Sequence, residues 1–285
     1  MARTKSLNIQ DYLNDSVMDN LAEILGGVIE NIQAGCVSEA LKAKNGSGEP
    51  TSGSVEYKRF VNAQLKDKGT ARTASKGDKV KAEPIIVNLT DDKEIVEELQ
   101  LKDVKLYGID GMAEKRKANA EKRIKAYLDR KFFTCAKTAG TLFENSESLT
   151  NKVDIIDAMI VKAKNTSSDF IDGLDAEDLA IVVDGTYRKA LKNYLDSLPN
   201  GTVPSNGLIG MYDSIEVYES NRLPEGVHCF VMLKESIAEP YYLSEYDAEK
   251  VPFDDAIALE TFVYSGIQAL VKEAIYYYAE TAISA

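Results

Sequence analysis

The chain has 285 residues, a formal net charge of −12 at pH 7, 44% hydrophobic and 28% charged residues. That is the composition of a folded globular chain, long enough for one large domain or two ordinary ones. The negative charge argues against general binding to nucleic acid or to a membrane surface, both of which are anionic. No apolar run approaches the ~18 residues of a membrane span.

The first residues, MARTKSLNIQDYLNDS, have no apolar core and no cleavage pattern, so no secretion signal is expected. Residues 1–50 read as an N-terminal arm. Within it Leu13, Val17, Leu21, Ile24, Leu25, Val28, Ile29 and Ile32 recur at three- and four-residue steps, which predicts an amphipathic helix over 11–33. The Gly-, Ser- and Asn-rich KAKNGSGEPTSGS at 42–54 reads as a flexible connector that lets the arm sit away from the body.

Strand formers Val55, Tyr57, Phe60 and Val61 predict a strand over 54–65, and 80–99 reads as a second strand-like run. The turn-rich segment between them makes this a hairpin with a long tip, and loops of that length are usually functional or disordered. Residues 58–81 hold eight Lys or Arg against two Asp, a net of +6, so −12 overall leaves −18 for the rest of the chain. Lys66, Lys68, Arg72, Lys76 and Lys79 of the tip are the candidate contact residues. No aromatic residue lies between Val61 and Leu89, so the tip lacks stacking platforms for single-stranded nucleic acid. The run beyond it is acidic. Asp91, Asp92, Glu94, Glu97 and Glu98 are the candidate acceptors for a basic tip from another copy.

The longest helical signal runs from Asp110, a candidate N-cap, to a stop at Gly140. Ala120, Ile124, Leu128, Phe132 and Ala136 mark its apolar face, and Lys and Arg alternate with Glu and Asp on the other. A second helix is predicted over 150–166, and LAIVVD at 179–184 reads as a short buried strand. A helix over 185–198 follows it, with Tyr187, Leu191, Tyr194 and Leu195 inward. Strands are expected near 215–218 and 228–233, and the tail reads as a β-hairpin. This ordering is α+β rather than a regular βαβ alternation.

No enzymatic chemistry emerges. There is no GxxxxGK[ST] and no GxSxG, and the GSG at 46–48 sits in a linker, not between strand and helix. The single histidine, His228, excludes multi-histidine sites. His228 and Cys229 are strand neighbours whose side chains point to opposite faces, so they form no dyad. Cys36, Cys135 and Cys229 are an odd, widely spaced set and read as free thiols. The Asp91–Asp92 and Asp254–Asp255 pairs lack EF-hand spacing and read as solvated acidic turns. The expectation is a protein without enzymatic activity, cofactor or metal.

One order of parts stands out: arm, long two-stranded loop, acidic strand, spine helix, mixed domain, terminal strands. It resembles the major capsid proteins of tailed bacteriophages, the Hong-Kong-97-type fold. VNLTDDKEIVEEL followed by DVKLYGIDGMAEKRKANAEKRIKAYLDRKFF carries the resemblance, together with LAIVVDGTYRKALKNYL and NGLIGMYDSIEVYESNRLP. The resemblance implies an N-terminal arm at 1–50, an extended loop at 51–90 and a peripheral domain with spine helix at 91–170. It further implies an axial domain at 171–250 and a C-terminal hairpin at 251–285 that returns to the peripheral domain. It implies pentamers and hexamers of an icosahedral shell, enclosing double-stranded DNA without sequence-specific binding. It implies a virion protein assembled in a host bacterial cytoplasm with a portal. With 1–50 alone before the loop, a separate scaffolding protein is expected. The alternatives are an encapsulin nanocompartment shell of the same fold and, in another class, a nucleic-acid-binding module using 58–81.

Overall fold

The computed structural model describes residues 31–33, 35–63, 67, 81–145, 149–195, 206–244, 247–250 and 256–280. In chain order the elements begin with α1 (Val37–Leu41), β1 (Ser54–Phe60), β2 (Ala82–Asn88) and β3 (Asp91–Gln100). The long helix α2 (Leu101–Ala139) follows, then β4 (Thr141–Leu142), α3 (Lys152–Lys164), β5 (Ser167–Ser168), β6 (Ile171–Asp172), β7 (Leu179–Val183) and α4 (Gly185–Leu191). Next come β8 (Leu208–Tyr212), β9 (Ile215–Glu219), β10 (Val227–Leu233), β11 (Ile237–Ala238) and β12 (Tyr241–Leu243). The last are β13 (Asp247–Lys250), β14 (Ala256–Ser265), β15 (Gln268–Ala269) and β16 (Ile275–Ala279).

The central sheet has the order β4-β16-β10-β7-β9-β8, with β7–β9 and β16–β4 parallel and the other pairs antiparallel. Its middle strand is the all-apolar LAIVV, and the reason is burial on both faces. Leu179, Ile181 and Val183 point to one side, where they meet Ile156, Met159 and Ile160 of α3 and Tyr187 and Leu191 of α4. Ala180 and Val182 point to the other, against Phe132, Phe133 and Ala136 of α2 and Val37 and Leu41 of α1. Helices therefore cover both faces of one sheet. A tight turn joins β8 to β9. Asp213 and Ser214 both have positive φ (50° and 64°), the backbone twist a two-residue hairpin loop demands.

A second sheet centres on β14, flanked by β3 on one side and by β12 and β13 on the other. β3 pairs with β14 along its whole length, Asp91↔Ser265 through Gln100↔Ala256. The hairpin β1–β2 is separate from both sheets.

Several expectations change. The spine helix starts at Leu101, with Gln100 at the N-cap position, not at Asp110. Gly108 and Gly111 lie inside the helix, whose interior absorbs each at about 1 kcal/mol. The run 80–99 is two strands: β2 ends at Asn88 and pairs with β1, whereas β3 begins at Asp91 and pairs with β14. The helix after β7 ends at Leu191, and Tyr194 is exposed, not inward. The tail is not a hairpin on itself: β14 pairs with β3, β12 and β13, whereas β16 pairs with β10 and β4 in the central sheet. Alternation alone marks strands but not their partners.

Of the predicted helix 11–33, only 31–33 are among the described residues, and these are helical. The stretch 42–54 is not a loose tether. Ala43 is buried and gives its N–H to the Ile237 carbonyl at 2.8 Å, and Ser47 and Glu56 exchange backbone hydrogen bonds at 2.7 and 2.9 Å. A Cβ on Gly46 would lie 2.5 Å from Val55 Cγ1, so this glycine serves close packing rather than mobility.

Candidate assembly interface

The hairpin β1–β2 has two unlike faces because alternate residues point to opposite sides. Val55, Tyr57 and Val87 face inward onto Ala43 and Ala238, with Ile85 and Leu270 at the margin. The outward face carries Phe60 and Ile86, which are 57% and 59% exposed. The base of the hairpin is fixed to the body. Arg59 sits over the Phe170 ring at 3.3 Å, donates to the Leu270 carbonyl at 2.9 Å and pairs with Glu273 at 3.2 Å. Asn62 donates its backbone N–H to the Asp169 carbonyl at 3.0 Å. At the other end Gly266 allows the chain to pass under the hairpin, since a Cβ there would meet Asn88 O at 2.3 Å. Both ends of the described hairpin are thus anchored to the body. Lys66, Lys68, Arg72, Lys76 and Lys79 themselves lie outside the described residues.

The acidic candidates on β3 divide into two sets. Asp91 pairs with Lys131 of α2 at 2.7 Å, and Lys131 also donates to Ser265 Oγ at 2.8 Å. Glu97 accepts two bonds from the Arg116 guanidinium, and this hydrogen bonding holds its carboxyl below the usual range. These two acids are matched within their own chain by the helix that follows them. Asp92, Glu94 and Glu98 point the other way and are exposed, with Val96 (46% exposed) between the last two. Sequence spacing alone did not sort the set, because the sorting depends on which face of β3 meets α2.

Sequence reasoning missed a cluster of buried polar groups where α1 meets α2. Asp129 of α2 is 1% exposed, accepts the Ser38 N–H at 3.0 Å and pairs with Arg222. Lys42 pairs with Glu39 at 2.6 Å and lies 4.4 Å from the centre of the Tyr241 ring. Glu239 is fully buried; its carboxylate makes no well-formed hydrogen bond, and the Ser38 hydroxyl is the weak partner beside it. Burial pushes its pKa from 4.5 up to about 8, with Lys42 and the Ser38 hydroxyl opposing the shift and Asp129 and Glu39 adding to it. Nothing in the local sequence marks Glu239, since its neighbours come from segments about 100 and 200 residues away.

Other chemistry-bearing groups sit in structural roles. His228 Nδ1 lies 2.7 Å from Asp184 Oδ2, while Asp184 Oδ1 caps α4 by accepting from the Tyr187 N–H at 2.7 Å. Cys229 is on the opposite face, buried against Met159 at 3.6 Å. The three cysteines are free thiols. Among the described residues no group of three or more His, Cys, Asp or Glu is placed to hold a metal ion. No helix among them is long and apolar enough to cross a membrane.

No protein-family model matches the sequence, and a search of curated proteins finds no relative. Solved structures do match. A structure from Mycobacterium phage Che8 superposes with TM-score 0.58 at 13% identity, over 86% of this chain and 90% of its own. The capsid of Ralstonia phage GP4 superposes with TM-score 0.55 at 10% identity, over 86% and 87%. The chain has the Hong-Kong-97-type capsid fold. A virus-like particle from Pyrococcus furiosus shares this capsid fold, with TM-score 0.51 at 13% identity over 91% of this chain and 98% of its own. At identities of 10–13%, the agreement lies in architecture rather than in any shared site residue.

Proposed function

We propose that this chain is the major capsid protein of a tailed bacteriophage, assembling through copies of itself into pentamers and hexamers of an icosahedral shell around double-stranded DNA. The observation that carries the reading is the capsid fold, matched over 86% of the chain. In this reading 1–50 is the arm, 51–90 the extended loop, 91–170 the peripheral domain and 171–250 the axial domain, with 251–285 returning to the peripheral domain. The partners are other copies, a separate scaffolding protein and a portal. The shell encloses DNA without reading its sequence, and it is built in the host cytoplasm. The role is structural, with no catalytic step.

The hairpin supports the reading physically. A two-stranded hairpin is marginal alone in water, and this one leaves Phe60 and Ile86 in solvent. Packing on a neighbour would cover both. Contacts of that kind are heterologous and close into rings. Asp92, Glu94 and Glu98 are the acceptors left for a neighbour's basic tip, and opposite charges there set register and association rate more than affinity.

The test is a triple reversal, Lys66→Glu with Lys68→Glu and Arg72→Glu. It is expected to abolish pelletable particles in sedimentation while the far-ultraviolet circular dichroism of the subunit stays unchanged. Particles forming at the wild-type yield would remove the tip from the inter-subunit contact.

A second reading, an encapsulin shell, draws on the match to the virus-like particle, which extends over 98% of that chain. The nucleic-acid content of purified particles separates the two, since a phage head carries a DNA absorbance and an encapsulin carries cargo protein.

A further inference from the structure

The outer side of the spine helix forms a groove of about 680 Å³ with the start of β3 and the turn after β14. Its floor is apolar: Ala126, the Tyr127 ring, Cys135, Ala139 and Ile267. Two threonines on its wall add methyl groups rather than hydroxyls. Thr134 donates its Oγ1–H to the Arg130 carbonyl at 2.7 Å, and Thr138 does the same to the Thr134 carbonyl at 2.8 Å. Burial raises the pKa of the Cys135 thiol, so it is neutral at physiological pH.

The rim is cationic. Arg123, Arg130 and Lys131 line the groove against a single acid, Asp91, which Lys131 already holds at 2.7 Å. Among the described residues Arg123 and Arg130 are exposed and in no ion pair. They are seven residues apart on one helix face, about 10 Å along the axis. That spacing corresponds to about three residues of extended chain. An apolar trough flanked by two unpaired guanidinium groups fits an extended peptide that carries an apolar side chain between carboxylates.

We infer that this groove is a docking site for an acidic segment of a second copy of this chain. The chain as a whole carries −12, so copies of it supply surplus carboxylate to every basic groove. Duplex DNA fits less well, because its phosphates would meet the two arginines and leave the apolar floor uncovered. The inference rests on the self-assembly proposed above and names one surface through which it runs. Guanidinium groups suit carboxylates in two-pronged geometry, so the contact is directional and not merely sticky.

Cys135 is a built-in reporter. It lines the groove and is partly exposed, whereas Cys36 and Cys229 are fully buried. The experiment is maleimide labelling of the native full-length protein in dilute and in assembled form, with the modified cysteine located by peptide mass. Cys135 is expected to label at least tenfold more slowly in the assembled protein. The double variant Arg123→Glu with Arg130→Glu is expected to lose that protection and to lose at least tenfold in self-association. If shells form and Cys135 labels as fast as in the dilute protein, the groove is not an interface, while the capsid reading stands. If no assembly occurs under any condition, both readings fail. If double-stranded DNA alone protects Cys135 in the dilute protein, in a manner abolished by salt, the groove is a nucleic-acid site and the inference is overturned.

Discussion

Replacing Glu239 by Gln is expected to stabilise the protein at pH 8 and to flatten its pH dependence. Glu239 is an acid whose folded pKa, about 8, lies above its ordinary value of 4.5. The folded state therefore holds the proton more tightly than the unfolded state does. Its contribution is fully present below pH 4.5 and is lost as the pH rises toward 8, because the unfolded chain ionises freely and the folded chain does not. A shift of this size corresponds to roughly 3–5 kcal/mol. Glutamine is neutral throughout and keeps the shape of the protonated acid. The wild type should lose melting temperature steadily between pH 5 and pH 8, and E239Q should not. At pH 8 the variant should melt on the order of 10 °C higher. At pH 5 the two should be close, because the wild-type carboxyl is then largely protonated and neutral as well. Differential scanning calorimetry across that range checks the prediction. Parallel curves for the two proteins would show that Glu239 is ionised and satisfied in the folded state.

Asp129→Ala is expected to be the most damaging single change at the junction of arm and spine. One oxygen holds the buried Ser38 N–H at the start of α1, and the other holds Arg222. Removing the carboxylate leaves a buried amide and a partly buried guanidinium without their partner. Breaking one side of such a pair costs about 3–5 kcal/mol, well above the value of an exposed ion pair. The loss should be local as well as global. Backbone amides of 36–42 should exchange with deuterium faster than in the wild type, because the link at residue 38 joins two segments 91 positions apart. Urea denaturation gives the first effect and hydrogen exchange the second. Unchanged exchange over 36–42 would mean that Val37 and Leu41, packed on Phe132 and Phe133, hold α1 without the carboxylate.

The sequence made the central sheet and its helices plain wherever burial imposes a simple pattern. LAIVV is apolar at every position because both faces are covered, and the three- and four-residue spacing of Val153, Ile156, Met159, Ile160 and Ala163 marks α3. The fold class followed from the order of such elements. The sequence failed where the deciding contact lies far along the chain. The 42–54 stretch has the composition of a tether, yet Ala43 is tied to Ile237 and Gly46 is pressed on Tyr57. The acidic run on β3 looked uniform, yet strand alternation gives Asp91 and Glu97 to the spine helix and leaves Asp92, Glu94 and Glu98 to solvent. The tail has strand formers throughout, but β14 and β16 belong to different sheets. The groove on α2 is not legible in the sequence either. Its apolar floor depends on hydroxyls turned back into the helix and on Ile267, supplied from beyond β14.

The central claim is self-assembly into a closed shell, and electron microscopy of the purified full-length protein tests it most directly, alone and with a candidate scaffolding protein. The account predicts closed icosahedral particles of uniform diameter, built from fivefold and sixfold clusters. A chain that stays monomeric under every condition, and that binds double-stranded DNA with a steep salt dependence, would contradict it.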